Sequence, residues 1–236
     1  MRLILPIFLL AGCQPYELQN KAPSTAYLCN VASDGNWDDT SVFAFPDVSS
    51  ECVDAILNDF NAEDELRVYN LSDSENFDDW GTAAGTLVGG AWALLHYDWE
   101  INHPALNDSI FDAELLIGEK PDGWTLYNIA SSRFSKTQNE PSDRYAAAYS
   151  RTSGALKLDE GFTPLKSAAL IVHESKHAEG FRHVRCEDTG MRDCDDDYLG
   201  AYGATLAIFN AINTDDEVVN EYIAGELHWI NTRIQL

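Results

Sequence analysis

The chain has 236 residues, 45% of them hydrophobic, enough for one sizeable core. Its 39 acidic residues against 15 basic ones give a formal net charge of −24, with Asp and Glu spread along the whole length. That balance argues against nucleic acid as a partner and against attachment to anionic lipid by charge; it reads as a solvated acidic surface.

The amino terminus stands apart from the core. MRLILPIFLLAGC opens with one basic residue, Arg2, continues as an apolar run from Leu3 to Leu10 and ends in small residues before Cys13. The run is too short to cross a bilayer as a mature helix and has the layout of an export signal. Leu10-Ala11-Gly12-Cys13 resembles a bacterial lipobox. The resemblance implies a signal peptide over residues 1–12, cleavage before Cys13 and acylation there, with several acyl chains making a stable membrane anchor. Gln14 in place of Asp after the cysteine implies the outer rather than the inner membrane of a bacterial cell envelope. Residues 13–25 are polar with two prolines and are expected to form a tether, leaving residues 26–236 as the domain it carries.

The four remaining cysteines, Cys29, Cys52, Cys186 and Cys194, are an even set in an exported chain and read as disulfides. Three connectivities are open; the local pairs Cys29–Cys52 and Cys186–Cys194 are expected. SSECVDAILNDF suits a short helix with a Ser cap. ELRVYNL suits a strand. GTAAGTLVGGAWALLHYDWEI is apolar and rich in small residues, which leaves its type ambiguous, with a buried helix preferred. WTLYNIA suits a strand, and RYAAAYS and ALKLDE a hairpin with Gly154 in the turn.

The next element is the best punctuated. Thr163 caps a helix, Pro164 fits its first turn and Gly180 its end, while Leu165, Ala168, Ala169 and Val172 form one apolar stripe. An acidic, disulfide-closed loop follows. Two helices are then expected, over roughly 196–212 and 215–234, with Thr214 and Glu217 spaced as a capping box.

The punctuated helix carries HESKHAEGFRH, residues 173 to 183, which holds three of the six histidines. His173 and His177 are four apart and share a face, so two imidazoles can take adjacent corners of a zinc tetrahedron. Glu174, beside the first, is placed to deprotonate a water in the open coordination position. Gly180 permits a positive φ and a sharp exit from the helix, and His183 can then return as a third ligand.

These residues match HExxHxxGxxH in full, and the chain thereby resembles the metzincin clan of zinc metallopeptidases. The resemblance implies one zinc ion per chain on His173, His177 and His183, with Glu174 as general base. It implies an α+β, zincin-like fold in which a small mixed sheet packs on the buried active-site helix, followed by a mainly helical C-terminal part. It further suggests Met191, the one methionine left after signal removal, for a structural turn under the metal, and ALKLDE as the edge strand that pairs with extended substrate. The function expected is a lipid-anchored envelope metallopeptidase acting on polypeptide or on the peptides of peptidoglycan. The alternative is a non-catalytic, zinc-stabilised binding or scaffold lipoprotein, against which Glu174 speaks, since a structural site needs no general base. Asp193, Asp195 and Asp197 alternate like the start of a calcium loop. Tyr198 stands where glycine is required, so a solvated loop is the reading preferred.

Overall fold

The computed structural model describes residues 21–30, 46–72, 80–96, 123–140, 146–159, 161–212 and 217–235. The signal peptide, Cys13 and Thr214 of the expected capping box lie outside these residues. In chain order the elements are α1 (Ala22–Leu28), α2 (Ser50–Asp59), a 3₁₀ turn (Asp64–Leu66), α3 (Ala83–His96), α4 (Gly123–Arg133), β1 (Lys136–Asn139), β2 (Ala147–Ser150), β3 (Ala155–Leu158), α5 (Pro164–Glu179), β4 (Val184–Arg185), β5 (Arg192–Cys194), α6 (Ala201–Asn210) and α7 (Glu217–Asn231). A small mixed sheet among many helices makes the class α+β, as expected.

α3 and α5 form the centre. α3 is apolar around its whole circumference, and only Trp92 and His96 escape full burial. Its small residues let α5 approach closely: a Cβ on Gly90 would lie 2.6 Å from the Ser167 carbonyl carbon and 2.8 Å from the Ala168 nitrogen. Across that contact α5 buries Leu165, Ala168, Ala169 and Val172, the stripe foreseen from spacing. α6 packs on α5 from another side, and α7 covers α6. The two expected disulfides, Cys29–Cys52 and Cys186–Cys194, are both formed. The first ties α1 to α2, whose Ser49 side chain accepts from the Cys52 amide at 3.2 Å.

The three-stranded sheet has the order β1-β3-β2, with β1 parallel and β2 antiparallel to β3. The expected hairpin is therefore present, with Gly154 at φ +65° in its turn. ALKLDE is not the edge strand. β1, the polar KTQN, takes its other side, anchored by Thr137, whose hydroxyl donates to the Phe60 carbonyl at 2.8 Å. Among the described residues no strand pairs with the outer side of β2.

Three further expectations are corrected. WTLYNIA is the helix α4: Leu126, Tyr127, Ile129 and Ala130 recur at helical spacing and are all buried. ELRVYNL is a 3₁₀ turn followed by bends; Leu66 is fully buried while Val68, two residues on, is 75% exposed, so no strand face exists. Arg67 instead folds this segment back, donating to the Ala62 and Leu57 carbonyls at 3.2 and 3.3 Å. The expected tether overruns the domain boundary. From Lys21 the chain packs on α4, where Asn128 Oδ1 accepts from the Lys21 and Ala22 amides at 2.8 and 2.9 Å, and Ala22 and Ala26 are buried.

Candidate metal centre

The end of α5 builds the site. Thr163 caps its start, accepting from the Lys166 amide at 3.3 Å, with Pro164 next. Its last turn closes at Gly180, φ +113°, where the Gly180 amide donates to the His177 carbonyl (3.1 Å) and the Phe181 amide to the Lys176 carbonyl (3.3 Å). This pair of bonds is a Schellman motif, which needs a left-handed residue at that point. The chain thus reverses over His177, and His183 returns to face His173 and His177.

The three Nε2 atoms converge. His183 Nε2 lies 3.3 Å from His173 Nε2 and 3.2 Å from His177 Nε2. Metal–nitrogen bonds of about 2.0–2.1 Å place tetrahedral corners about 3.3–3.4 Å apart, so the spacing fits one ion. The far side of each ring decides its tautomer. His177 Nδ1 is 3.0 Å from the Phe181 carbonyl, an acceptor only. His183 Nδ1 is 2.9 Å from Asp195 Oδ1. His173 Nδ1 is 3.0 Å from Thr205 Oγ1, whose own proton goes to the Ala201 carbonyl at 3.0 Å. Each Nδ1 therefore carries the hydrogen, and all three Nε2 lone pairs point at one another. Three lone pairs held so close repel; a cation between them removes the repulsion. His173, His177 and His183 form a group able to hold a metal ion. Burial, then the neighbouring imidazoles, push His173 well below the ordinary histidine range, and burial lowers His177. Both rings are thereby kept neutral, as ligands must be.

Glu174 is 3% exposed. The Tyr149 backbone amide of β2 donates to its carboxylate, while Oε2 has no hydrogen-bond partner among the described residues. Burial pushes its carboxyl up to about 8. A cation on the adjacent imidazoles acts in the opposite direction and favours the ionised form.

Asp195 is the residue that sequence reasoning missed. It is 2% exposed; besides orienting His183, its Oδ2 accepts from the Tyr202 amide at 2.6 Å. Its backbone is pinned to the C-terminal segment by bonds to Arg233 O (2.7 Å) and from Gln235 N (2.9 Å). Gly200 leaves room for the carboxylate, since a Cβ there would overlap it. The alternating aspartates were visible, but they serve separate ends: Asp193 accepts from the Tyr202 hydroxyl at 2.7 Å and Asp197 from the Leu199 amide at 2.7 Å.

Met191, suggested for a turn under the metal, is not buried. It is 54% exposed in the β4–β5 hairpin and lines the rim of the cleft. Tyr202 packs against the imidazoles instead, its ring 4.8 Å from those of both His173 and His183 and stacked on the latter. The β4–β5 connection that carries Met191 spans six residues and is closed by Cys186–Cys194.

The site opens into a cleft of about 1110 Å³, bordered by β2 on one side and by α6, α7 and the β4–β5 hairpin on others. Comparison with protein-family models, with curated proteins and with solved structures gave no match to the chain.

Proposed function

We propose that the chain is a zinc-dependent metallopeptidase of the bacterial cell envelope, held to a membrane through acylated Cys13, and that it hydrolyses peptide bonds in polypeptide or in peptidoglycan. The observation that carries the reading is the convergence of three Nε2 lone pairs, each locked by an acceptor at Nδ1, beside a buried carboxylate with one unpartnered oxygen. The match to HExxHxxGxxH supports zinc and the metzincin type; three nitrogen ligands with an open fourth position suit catalytic zinc.

Zinc, when bound, supplies a Lewis acid that makes water nucleophilic near neutral pH and polarises the scissile carbonyl. The residues of the chain do the rest. Tyr149 N–H holds one carboxylate oxygen of Glu174, which leaves the other to take the proton of the attacking water and return it to the departing amine. The Ala146 carbonyl accepts from the Asp159 amide, so alternate residues of β2 bond to β3, while Ala147 turns its amide and carbonyl outward and Tyr149 its carbonyl, its amide being taken by Glu174. An extended peptide can add to that edge through backbone hydrogen bonds, positioned before Glu174.

The test is to load the purified chain with zinc and incubate it with a diverse peptide mixture, beside a Glu174→Gln chain of equal zinc content. New cleavage products from the first chain alone, read by mass spectrometry, are expected. Intact peptides and intact purified peptidoglycan in both samples would refute the reading.

A further inference from the structure

The charges that line the cleft contrast with the chain as a whole. Against 39 acidic and 15 basic residues overall, Arg151, Lys166, Arg182 and Arg192 line the cleft together with Glu174, Asp193 and Glu226. Lys166 pairs with Glu226 at 2.8 Å, and Asp193 pairs with Arg233 at 3.1 Å. Arg151, Arg182 and Arg192 are exposed and form no ion pair with an acidic side chain among the described residues. Arg151 does donate to the Gly180 and Phe181 carbonyls at 2.9 and 3.2 Å, which fixes its guanidinium without neutralising it.

All three belong to the part of the site beyond Gly180: Arg151 donates to the Gly180 and Phe181 carbonyls, Arg182 follows Phe181, and Arg192 pairs across from Arg185. Arg151 follows β2, Arg182 adjoins His183, and Arg192 starts β5. Toward the start of α5 the lining is mainly apolar, with Phe162, Ala169, Leu170 and Phe209 beside the internally neutralised Lys166–Glu226 pair. β2 and α5 run in the same sense past each other, because Tyr149 meets Glu174 and Arg151 meets Gly180. The start of β2 therefore lies toward the apolar end and its finish toward the guanidinium groups, with the histidines between.

We propose that the cleft selects an extended peptide with carboxylate side chains on the amino-terminal side of the scissile bond and a bulky apolar side chain on the other. The inference rests on the peptidase reading given above. A peptide antiparallel to β2, the commoner pairing, runs from the guanidinium end to the apolar end. The acidic body of the chain repels such a peptide at long range. Selectivity therefore acts only within a screening length, about 8 Å at physiological salt, where the guanidinium groups outweigh the distant carboxylates.

The test uses the full chain loaded with zinc and carrying Glu174→Gln, so that nothing is turned over, with fluorescence anisotropy of labelled peptides as readout. One peptide has two glutamates ahead of a Leu-Phe pair, a second has glutamines in their place, and a third reverses the order of the first. The acidic-first peptide is expected to bind about tenfold more tightly than the glutamine one. That advantage should shrink as salt rises from about 0.05 M to about 0.5 M, and vanish with Arg182→Glu and Arg192→Glu. Equal binding of the acidic and glutamine peptides overturns the proposal, and equal binding of the reversed peptide overturns its direction. Should the charge-reversed chain lose its zinc or its fold, the salt series on the unreversed cleft decides alone. Hydrolysis is scored separately with Glu174 in place: selective binding without any cleavage would sink the peptidase reading and leave the selectivity standing.

Discussion

Replacing Glu174 by Gln separates two roles of one buried carboxyl. Gln keeps an oxygen for the Tyr149 amide and nearly the same volume, but it cannot ionise. In the metal-free chain burial moves the carboxyl from its ordinary value of 4.5 to about 8. The folded protein then holds a proton that the unfolded chain has released, so this group's contribution to stability falls as pH rises from 4.5 and levels off above 8. That interval is about 3.5 pH units; at about 1.4 kcal/mol per unit the full penalty is about 5 kcal/mol, an upper figure on the order of the whole stability of a small domain. The assay is urea unfolding of both chains, disulfides intact, in the presence of chelator at pH 5 and pH 8.5. Glu174→Gln should be within about 1 kcal/mol of the unsubstituted chain at pH 5 and more stable by about 3–5 kcal/mol at pH 8.5. With zinc restored the gap should narrow, because the cation stabilises the ionised carboxylate. A difference that does not change with pH would refute the reasoning, since it would mean that Glu174 is as ionised in the fold as outside it.

Asp195→Ala removes the acceptor that orients His183 and should weaken zinc binding about 10- to 100-fold, measured by competition with a chromophoric chelator. His173 and His177 titrate below the ordinary histidine value. The unfolded chain therefore takes up protons first, and stability and bound zinc should fall together as pH drops below about 6.5; full zinc content after dialysis at pH 5 would contradict this. Gly90→Ala forces a methyl against the α5 backbone at Ser167 and should cost about 1–3 kcal/mol in denaturant unfolding, without changing zinc affinity at temperatures where the chain stays folded. Replacing Cys186 and Cys194 by serine opens a loop with a separation of 8 residues and should cost about 2–3 kcal/mol, with a matching loss of zinc affinity.

What could be read from the sequence was what local chemistry decides. Thr163, Pro164 and Gly180 mark the ends of α5 because caps and left-handed turns are set by the residues that make them. The histidine spacing is likewise local, and so is the hairpin around Gly154. Partners that depend on the fold were out of reach. Asp195 sits 12 residues from His183 with no periodic relation to it and meets the ring only because β5 and α6 bring it there. β1 is four polar residues with no alternation, held by pairing to β3 rather than by its own pattern, and it occupies one side of ALKLDE, which the family resemblance had suggested as the edge. WTLYNIA has the aromatic and branched content of a strand, yet packing on α3 and α5 makes it a helix.

The Cys186–Cys194 bond clamps two parts of the site that are otherwise held together by the short β4–β5 pairing. His183 stands three residues before Cys186, and Asp195 is the residue after Cys194. Until the thiols join, that pairing and the hydrogen bonds of Asp195 alone keep the carboxylate against the third ligand. A chain still in a reducing compartment then offers a metal a third imidazole that is less firmly aimed, and a looser set of ligands binds more weakly. For a chain exported as proposed, oxidation therefore raises metal affinity at the point of export. Full loading would be reached only after the chain has left the compartment whose proteins it could damage.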